Sequence, residues 1–131
     1  MNKEIRWKQR FNNLTLAFDK LESAVNNVEK LSLLEKEGMI QRFEYTFELS
    51  WKTLKDYLES VGVEAKFPRD TIKEAFKSDL IDDGDVWIKM LDKRNLLAHC
   101  YDEAIFNQVV ELITDEFYPQ IKSLHQALKA L

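Results

Sequence analysis

Glycine and proline are scarce in this sequence, with three glycines and two prolines among 131 residues. These residues interrupt helices and strands most strongly, so their scarcity argues against a loop-rich fold and indicates long uninterrupted elements. Hydrophobic residues make up 45% of the chain, which is ample for one core. We therefore expect residues 1–131 to form a single domain.

Cysteine and long apolar runs are also nearly missing. The lone cysteine, Cys100, excludes an internal disulfide, a pattern typical of proteins from a reducing compartment. No stretch approaches the roughly 18 consecutive apolar residues that a membrane span requires. The first residues, Met1 to Arg6, contain no apolar run and do not resemble a secretory signal. The sequence thus predicts a soluble cytoplasmic protein without a membrane segment.

The chain lacks a basic excess, because 19 Lys and Arg stand against 23 Asp and Glu, a formal net charge of −4. Proteins that coat nucleic acid normally carry a basic balance, so broad, sequence-independent DNA binding is disfavoured. A local basic pocket stays compatible, since residues 1–10 hold four basic side chains and one acid. Neither a glycine-rich phosphate loop nor a Gly-x-Ser-x-Gly motif is present, so ATP hydrolysis and serine hydrolase chemistry have no support.

Apolar residues recur at steps of three and four, the spacing of helices packed in a bundle. One stripe predicts a helix over about residues 4–29. A second predicts a helix that opens with a capping box of Ser32 and Glu35 and stops at Gly62. The stripes consist of Trp7, Phe11, Leu14, Phe18, Leu21, Val25 and Val28, and of Ile40, Phe43, Phe47, Trp51, Leu54, Leu58 and Val61.

Shorter helices are predicted in the second half of the chain. Thr71 and Glu74 have the spacing of a capping box and would start a short helix after a loop over residues 63–68. In the turn that follows, Asp85 can cap a helix over about residues 86–98.

Asp102 can cap the last helix, which is expected to reach from Glu103 to about Ala130. Pro119 lies inside this helix, removes a backbone donor and should kink it. No strand pattern occurs in the sequence. The sum is an all-α, antiparallel four-helix-type bundle with one extra short helix.

Chemically active side chains concentrate near residue 98, where Arg94, Asn95, His99 and Tyr101 lie close together in the sequence. In an ideal helix Arg94 and Tyr101 share a face, whereas His99 lies about 140° around from Arg94. Arg94 and His99 therefore converge only if the helix breaks near Ala98 or His99, or if a second copy brings its own set alongside.

Such a set can support RNA cleavage without a metal ion. The 2′-hydroxyl attacks the adjacent phosphate, His99 takes or donates the proton, and Arg94 holds the phosphate and its developing charge. Asn95 can orient a phosphate oxygen or the imidazole, and Tyr101 can hydrogen-bond the substrate or be modified. In a purely structural interpretation, His99 is a cap or surface residue and Arg94 pairs with a nearby acid. The acids considered are Asp92, Asp102 and Glu103.

Other candidate sites are weaker. The acidic turn around Gly84 lacks the spacing of an EF-hand loop and is interpreted as a helix cap; its acids are Asp82, Asp83 and Asp85. His99 with Cys100 offers too few ligands for structural zinc, and His125 stands alone. We therefore expect no bound metal and no cofactor. The stripe of Phe43, Phe47 and Trp51 is expected to be core or dimer interface.

Three blocks of the sequence resemble, in the same order, the nucleotidyltransferase substrate-binding proteins. Residues 41–58 look like the second helix of that family, and residues 68–76 and 94–103 are similar to its later blocks. The resemblance covers about Trp7 to Leu124. This family belongs to the HEPN helical superfamily, so the resemblance implies a HEPN-like bundle.

The resemblance also implies a site and partners. Family members commonly bind a minimal nucleotidyltransferase and form homodimers, with heterotetramers or larger assemblies when the transferase joins. In many HEPN proteins an Arg-x-x-x-x-His pattern forms a ribonuclease site across the dimer, which maps here to Arg94 and His99, with the following polar residue at Asn95. In the toxin–antitoxin branch a tyrosine two residues after the histidine accepts AMP, which maps to Tyr101.

Two functions are open at this point. The chain is either a partner subunit that binds a minimal nucleotidyltransferase and its RNA or nucleotide substrate, or a metal-independent endoribonuclease silenced by adenylylation of Tyr101. A purely structural homodimer is a more distant third alternative. A dimer is expected on geometry too, because a lone chain cannot easily bury Trp7, Trp51, Trp87 and eight phenylalanines.

Overall fold

The computed structural model describes residues 2–99 and 102–131, and most of these residues are helical. Two long helices come first, α1 (Lys3–Asn26) and α2 (Leu33–Ser60), joined through a 3₁₀ turn (Val28–Lys30). They are followed by α3 (Pro68–Lys77), α4 (Gly84–Leu97), α5 (Glu103–Leu112) and α6 (Tyr118–Lys129). A π turn, Ile113–Phe117, joins α5 to α6 in one continuous rod.

The predicted all-α bundle is confirmed. No strand occurs among the residues that the structure describes. The long helices α1 and α2 pack along each other, α6 packs on α1, and the short α3 bridges α2 and α4. In the described ranges, none of the helices combines the length and apolar character needed to cross a bilayer.

The boundaries of α2 follow the predicted local signals. Ser32 Oγ accepts from the Glu35 backbone N–H at 3.2 Å, and a Glu35 carboxylate oxygen accepts from the Ser32 N–H at 2.9 Å. This reciprocal pair is the expected capping box. After the helix, Gly62 has a φ of +87°, a left-handed conformation that favours glycine.

Aromatic rings fill the centre of the bundle. Phe43 and Phe117 stack with their centroids 5.2 Å apart, and Phe47 lies against Trp87 at 6.2 Å. The Phe43 and Phe47 positions are therefore core, as predicted. One chain also buries all three tryptophans, which are Trp7, Trp51 and Trp87. The argument for a dimer from unburied tryptophans is thus wrong, and the homodimer itself stays a prediction.

The predicted start of α3 is wrong. The helix begins at Pro68, with Phe67 as the residue before it, whereas Thr71 lies one turn inside. A proline suits the first turn because its missing N–H would have no partner there. The Thr71 hydroxyl, which we expected to cap the helix, instead donates back to the Phe67 carbonyl at 2.8 Å.

The cap of α4 is displaced in a similar way. Asp83, not Asp85, accepts the Val86 backbone N–H, at 3.2 Å, so the helix starts two residues earlier than predicted. Asp82 is used differently and accepts from the Ser123 hydroxyl at 2.8 Å. The acidic turn therefore caps one helix and contacts another, which agrees with its interpretation as a capping turn.

The disturbance expected at Pro119 takes the form of a π turn. A proline cannot donate to the carbonyl four residues back, and its ring crowds that carbonyl. Just before it, the Tyr118 N–H bonds to the Ile113 carbonyl, five residues back. The widened turn absorbs the mismatch, and the helix continues to Lys129.

His125 is part of the contact between α6 and α1. Its ring stacks between Phe11 and Phe18, at centroid distances of 5.0 and 4.9 Å. Its Nε2 lies 2.9 Å from the Thr15 hydroxyl oxygen. Burial lowers the pKa of His125, and the neighbouring charges act more weakly.

We predict opposite effects for one substitution at two glycines. Gly62→Ala should lower the free energy of unfolding by about 1 kcal/mol, because alanine is strained at positive φ while its Cβ meets no atom within 4 Å. Gly38→Ala is the matched control. It lies inside α2, also with nothing within 4 Å, and should raise stability by about 0.5–1 kcal/mol. Urea denaturation measures both, and two changes of the same sign would contradict this account.

We also predict a histidine-dependent loss of stability in mild acid. Because the folded-state pKa of His125 lies below its usual value of 6.5, the unfolded chain takes up a proton first as the pH falls through that value. The free energy of unfolding should therefore fall as the pH is lowered from about 7.5 through about 6.5. His125→Phe keeps the stacking but removes the titration, so its urea midpoint should vary less over the same range. An unchanged pH dependence would assign the loss to other groups.

Candidate functional site

An arginine held between two helices forms the centre of the candidate site. Arg94 lies in the last turn of α4, and its Nη2 donates to both carboxylate oxygens of Glu48 on α2. Its Nη1 donates to the Asn95 side-chain oxygen at 3.0 Å. The Arg94 and Glu48 side chains are 28% and 29% exposed, so the pair is accessible yet shielded from bulk water.

Glu48 is itself fixed from its own helix. The Trp51 indole N–H donates to the carboxylate at 3.0 Å, and the Trp51 ring is buried in the core. Burial acts to raise the pKa of Glu48, but the hydrogen bonds from Arg94 and Trp51 outweigh it and the pKa lies below the usual range. The carboxylate therefore stays ionised near neutral pH and anchors the guanidinium to the core through one indole.

A second carboxylate, Glu44, lies one helical turn before Glu48. It is half-buried, and this burial raises its pKa although the charge of Arg94 acts in the opposite direction. In the described part of the chain it makes no salt bridge. Two acids thus act on one arginine, so the positive charge of Arg94 is compensated at this surface.

Helix α4 ends close to the position at which the predicted site requires a helix break. Helix α4 ends at Leu97, and the His99 backbone N–H donates to the Leu96 carbonyl at 3.1 Å in a turn beyond the helix end. The next helix is capped as predicted, with Asp102 accepting the Ala104 N–H at 2.7 Å. His99 is exposed. One of the two conditions for bringing Arg94 and His99 together, a helix break at residues 98–99, is therefore met.

The structure brings together part of the predicted set. Arg94 and Asn95 are joined by a hydrogen bond. Within the described ranges, the His99 ring makes no hydrogen bond with either of them. Tyr101 and Cys100 lie outside the described residues. The roles assigned to these side chains stay predictions.

Arg94 pairs with Glu48, and the partners considered from the sequence, Asp92, Asp102 and Glu103, are wrong. Asp92 pairs with Arg69 of α3 at 3.2 Å, and Asp102 is occupied as a helix cap. Asp92 lies two residues before Arg94, on nearly the opposite side of the helix, so its carboxylate does not face the Arg94 guanidinium. The observed partner, Glu48, is 46 residues away in the sequence and was missed by sequence reasoning. No local pattern marks such a pair; the nearest signal is a glutamate beside an aromatic stripe.

The comparisons with known proteins agree with this fold. A family model described as "nucleotidyltransferase substrate binding protein like" matches residues 9–130, and the chain belongs to this family. A protein of Haemophilus influenzae named "probable ribonuclease HepT" is 27% identical over 130 residues, spanning 85% of this chain and 89% of that protein.

A solved structure resembles the fold closely. The crystal structure of a protein from Thermus thermophilus superposes with a TM-score of 0.77 at 32% sequence identity. The match covers 89% of this chain and 97% of that one. The two chains therefore share the overall helical fold.

Proposed function

We propose that this chain is the helical partner of a nucleotidyltransferase and that it cleaves RNA without a metal ion. The observation that carries the proposal is the fixed position of Arg94 at the end of α4, five residues before an exposed His99. The description of the family supports the transferase partner. The name of the Haemophilus influenzae relative supports the ribonuclease activity.

In this proposal the two side chains divide the chemistry. His99 takes the proton of the RNA 2′-hydroxyl, whose oxygen attacks the adjacent phosphorus. Arg94 offers its planar fork of donors to the phosphate oxygens on which negative charge grows. The bond from phosphorus to the 5′-oxygen breaks, and that oxygen takes a proton from water or from the imidazolium of a second copy. The products are a 2′,3′-cyclic phosphate and a 5′-hydroxyl end.

A homodimer is part of the proposal. Leu96 is 39% exposed and stands in the sequence between the exposed Asn95 and His99. A second copy that covers Leu96 would remove this apolar surface from water and bring a second His99 alongside. The two histidines would then supply the base and the acid of one cleavage.

A non-catalytic binding subunit is the second candidate function. Two observations favour it: Glu48 compensates the charge of Arg94, and the chain has a net charge of −4. In that case the chain would hold a nucleotide substrate and dock on the transferase, and it would leave RNA intact.

Cleavage of RNA in EDTA separates the two candidates. We expect His99→Ala to lower the cleavage rate by about 100-fold or more, the usual contribution of a proton-transfer group. Arg94→Ala should also lower the cleavage rate, because Arg94 holds the phosphate in this proposal. Arg69→Ala is its matched control: it removes an arginine paired with an acid on the neighbouring helix and should keep the activity. Circular dichroism verifies that each variant is folded. Intact RNA with clean wild-type protein would reject the nuclease and leave the binding subunit.

We further propose that the transferase attaches AMP to Tyr101. The tyrosyl oxygen attacks the α-phosphorus of ATP and releases pyrophosphate, placing a phosphodiester anion two residues after His99. The anion competes with RNA phosphate for Arg94, and the nucleotide fills the space RNA needs.

Intact mass after co-expression with a minimal nucleotidyltransferase tests this modification. We expect the mass to increase by one adenylyl group, and we expect no increase for Tyr101→Phe. Tyr45→Phe removes an exposed tyrosine on α2 and should still be modified. A gain of mass in Tyr101→Phe, or none in the wild type, would contradict the assignment.

A further inference from the structure

Glu48 is the acid that lies against the candidate phosphate-binding arginine. Its two carboxylate oxygens accept both bonds from Arg94 Nη2, so this end of the guanidinium is already occupied. An anion that approaches Arg94 meets a carboxylate at the same point. Attraction to the guanidinium and repulsion from the carboxylate partly cancel there.

Each partner of the Glu48–Arg94 pair is held by a further hydrogen bond. Glu48 is held by the Trp51 indole, which is packed in the core, and Arg94 is held on its other side by Asn95. Separating the two would leave a partly shielded carboxylate without its cation, which is unfavourable. Arg94 therefore has a fixed direction, while a good part of its charge is compensated by Glu48.

We propose that Glu48 is a positioning residue that fixes Arg94 for phosphate and sets how tightly the site binds phosphate. Removal of its charge, with its shape kept, should make the arginine more available to an anion. Glutamine does this, because its amide oxygen still accepts from Arg94 and it has the same length. The inference rests on the proposed function in taking phosphate as the ligand.

Glu44 provides a matched control. It lies on the same helix one turn away, is half-buried near the same arginine, and forms no salt bridge with it in the described residues. Glu44→Gln removes the same charge from the same face. A gain in affinity that came from net charge alone would be equal for the two variants.

The experiment titrates inorganic phosphate at constant ionic strength and follows the indole N–H signals by NMR. The Trp51 indole reports on the site because it bonds to Glu48. The Trp87 indole is buried with no hydrogen-bond partner for its nitrogen among the described residues and serves as the internal reference. We expect Glu48→Gln to bind phosphate at least about fivefold more tightly than the wild type and clearly more tightly than Glu44→Gln.

The double variant Glu48→Gln with Arg94→Ala tests whether the gain acts through Arg94. We expect the gain to disappear there. An equal affinity of the Glu48→Gln and Glu44→Gln proteins, weaker binding by Glu48→Gln, a gain that survives without Arg94, or no detectable binding in any variant would overturn the inference.

Phosphate binding is measured without RNA, so the two proposals can fail separately. A protein that leaves RNA intact but shows the Arg94-dependent gain refutes the nuclease and retains the role of Glu48. A protein that cleaves RNA but binds phosphate equally in the two glutamine variants retains the nuclease and refutes the role of Glu48.

Discussion

The ion pair between Glu48 and Arg94 is the constraint on which the candidate site depends. It joins the middle of α2 to the last turn of α4, two segments that are 46 residues apart in the sequence. Arginine suits this place because its guanidinium keeps its charge and presents several donors in one plane. One donor group is used on Glu48 and another on Asn95, so the orientation of the side chain is determined by the fold.

The aromatic core gives this pair its rigidity. Trp51 is buried at the edge of the core and donates its indole N–H to the carboxylate, so the acid cannot turn away from α4 without losing a hydrogen bond. In the core, Phe47 of α2 packs against Trp87 of α4. The hydrophobic contacts thus set the distance between α2 and α4, and at this distance Glu48 and Arg94 can form their ion pair.

Helix termini give the site its second part. Helix α4 ends at Leu97, and α5 starts at Glu103 after its cap at Asp102. His99 lies in this interval and is exposed. In the proposed function these two residues act together: the fold sets the position of Arg94, and the exposed His99 lies just beyond the end of the same helix.

Local signals predicted much of this arrangement, and their failures have physical causes. Ser32, Gly62 and Asp102 were assigned correctly because each acts on backbone groups within a few residues. Thr71 was misassigned because Pro68 starts the helix earlier, and a threonine inside a helix can bond back to a carbonyl. Glu48 could not be found from sequence periodicity, since its partner comes from another helix and only the packing of α2 against α4 brings the two together.

The most direct measurement of the central claim is the ¹⁵N NMR spectrum of the Arg94 guanidinium in the free wild-type protein. An arginine held by Glu48 and Asn95 should rotate slowly about its terminal bonds and give distinct signals for its two Nη groups. Assignment follows from Arg94→Lys, which removes these signals. A single averaged signal, equal to that of a freely exposed arginine, would show that the ion pair does not hold Arg94 in place and would contradict the account.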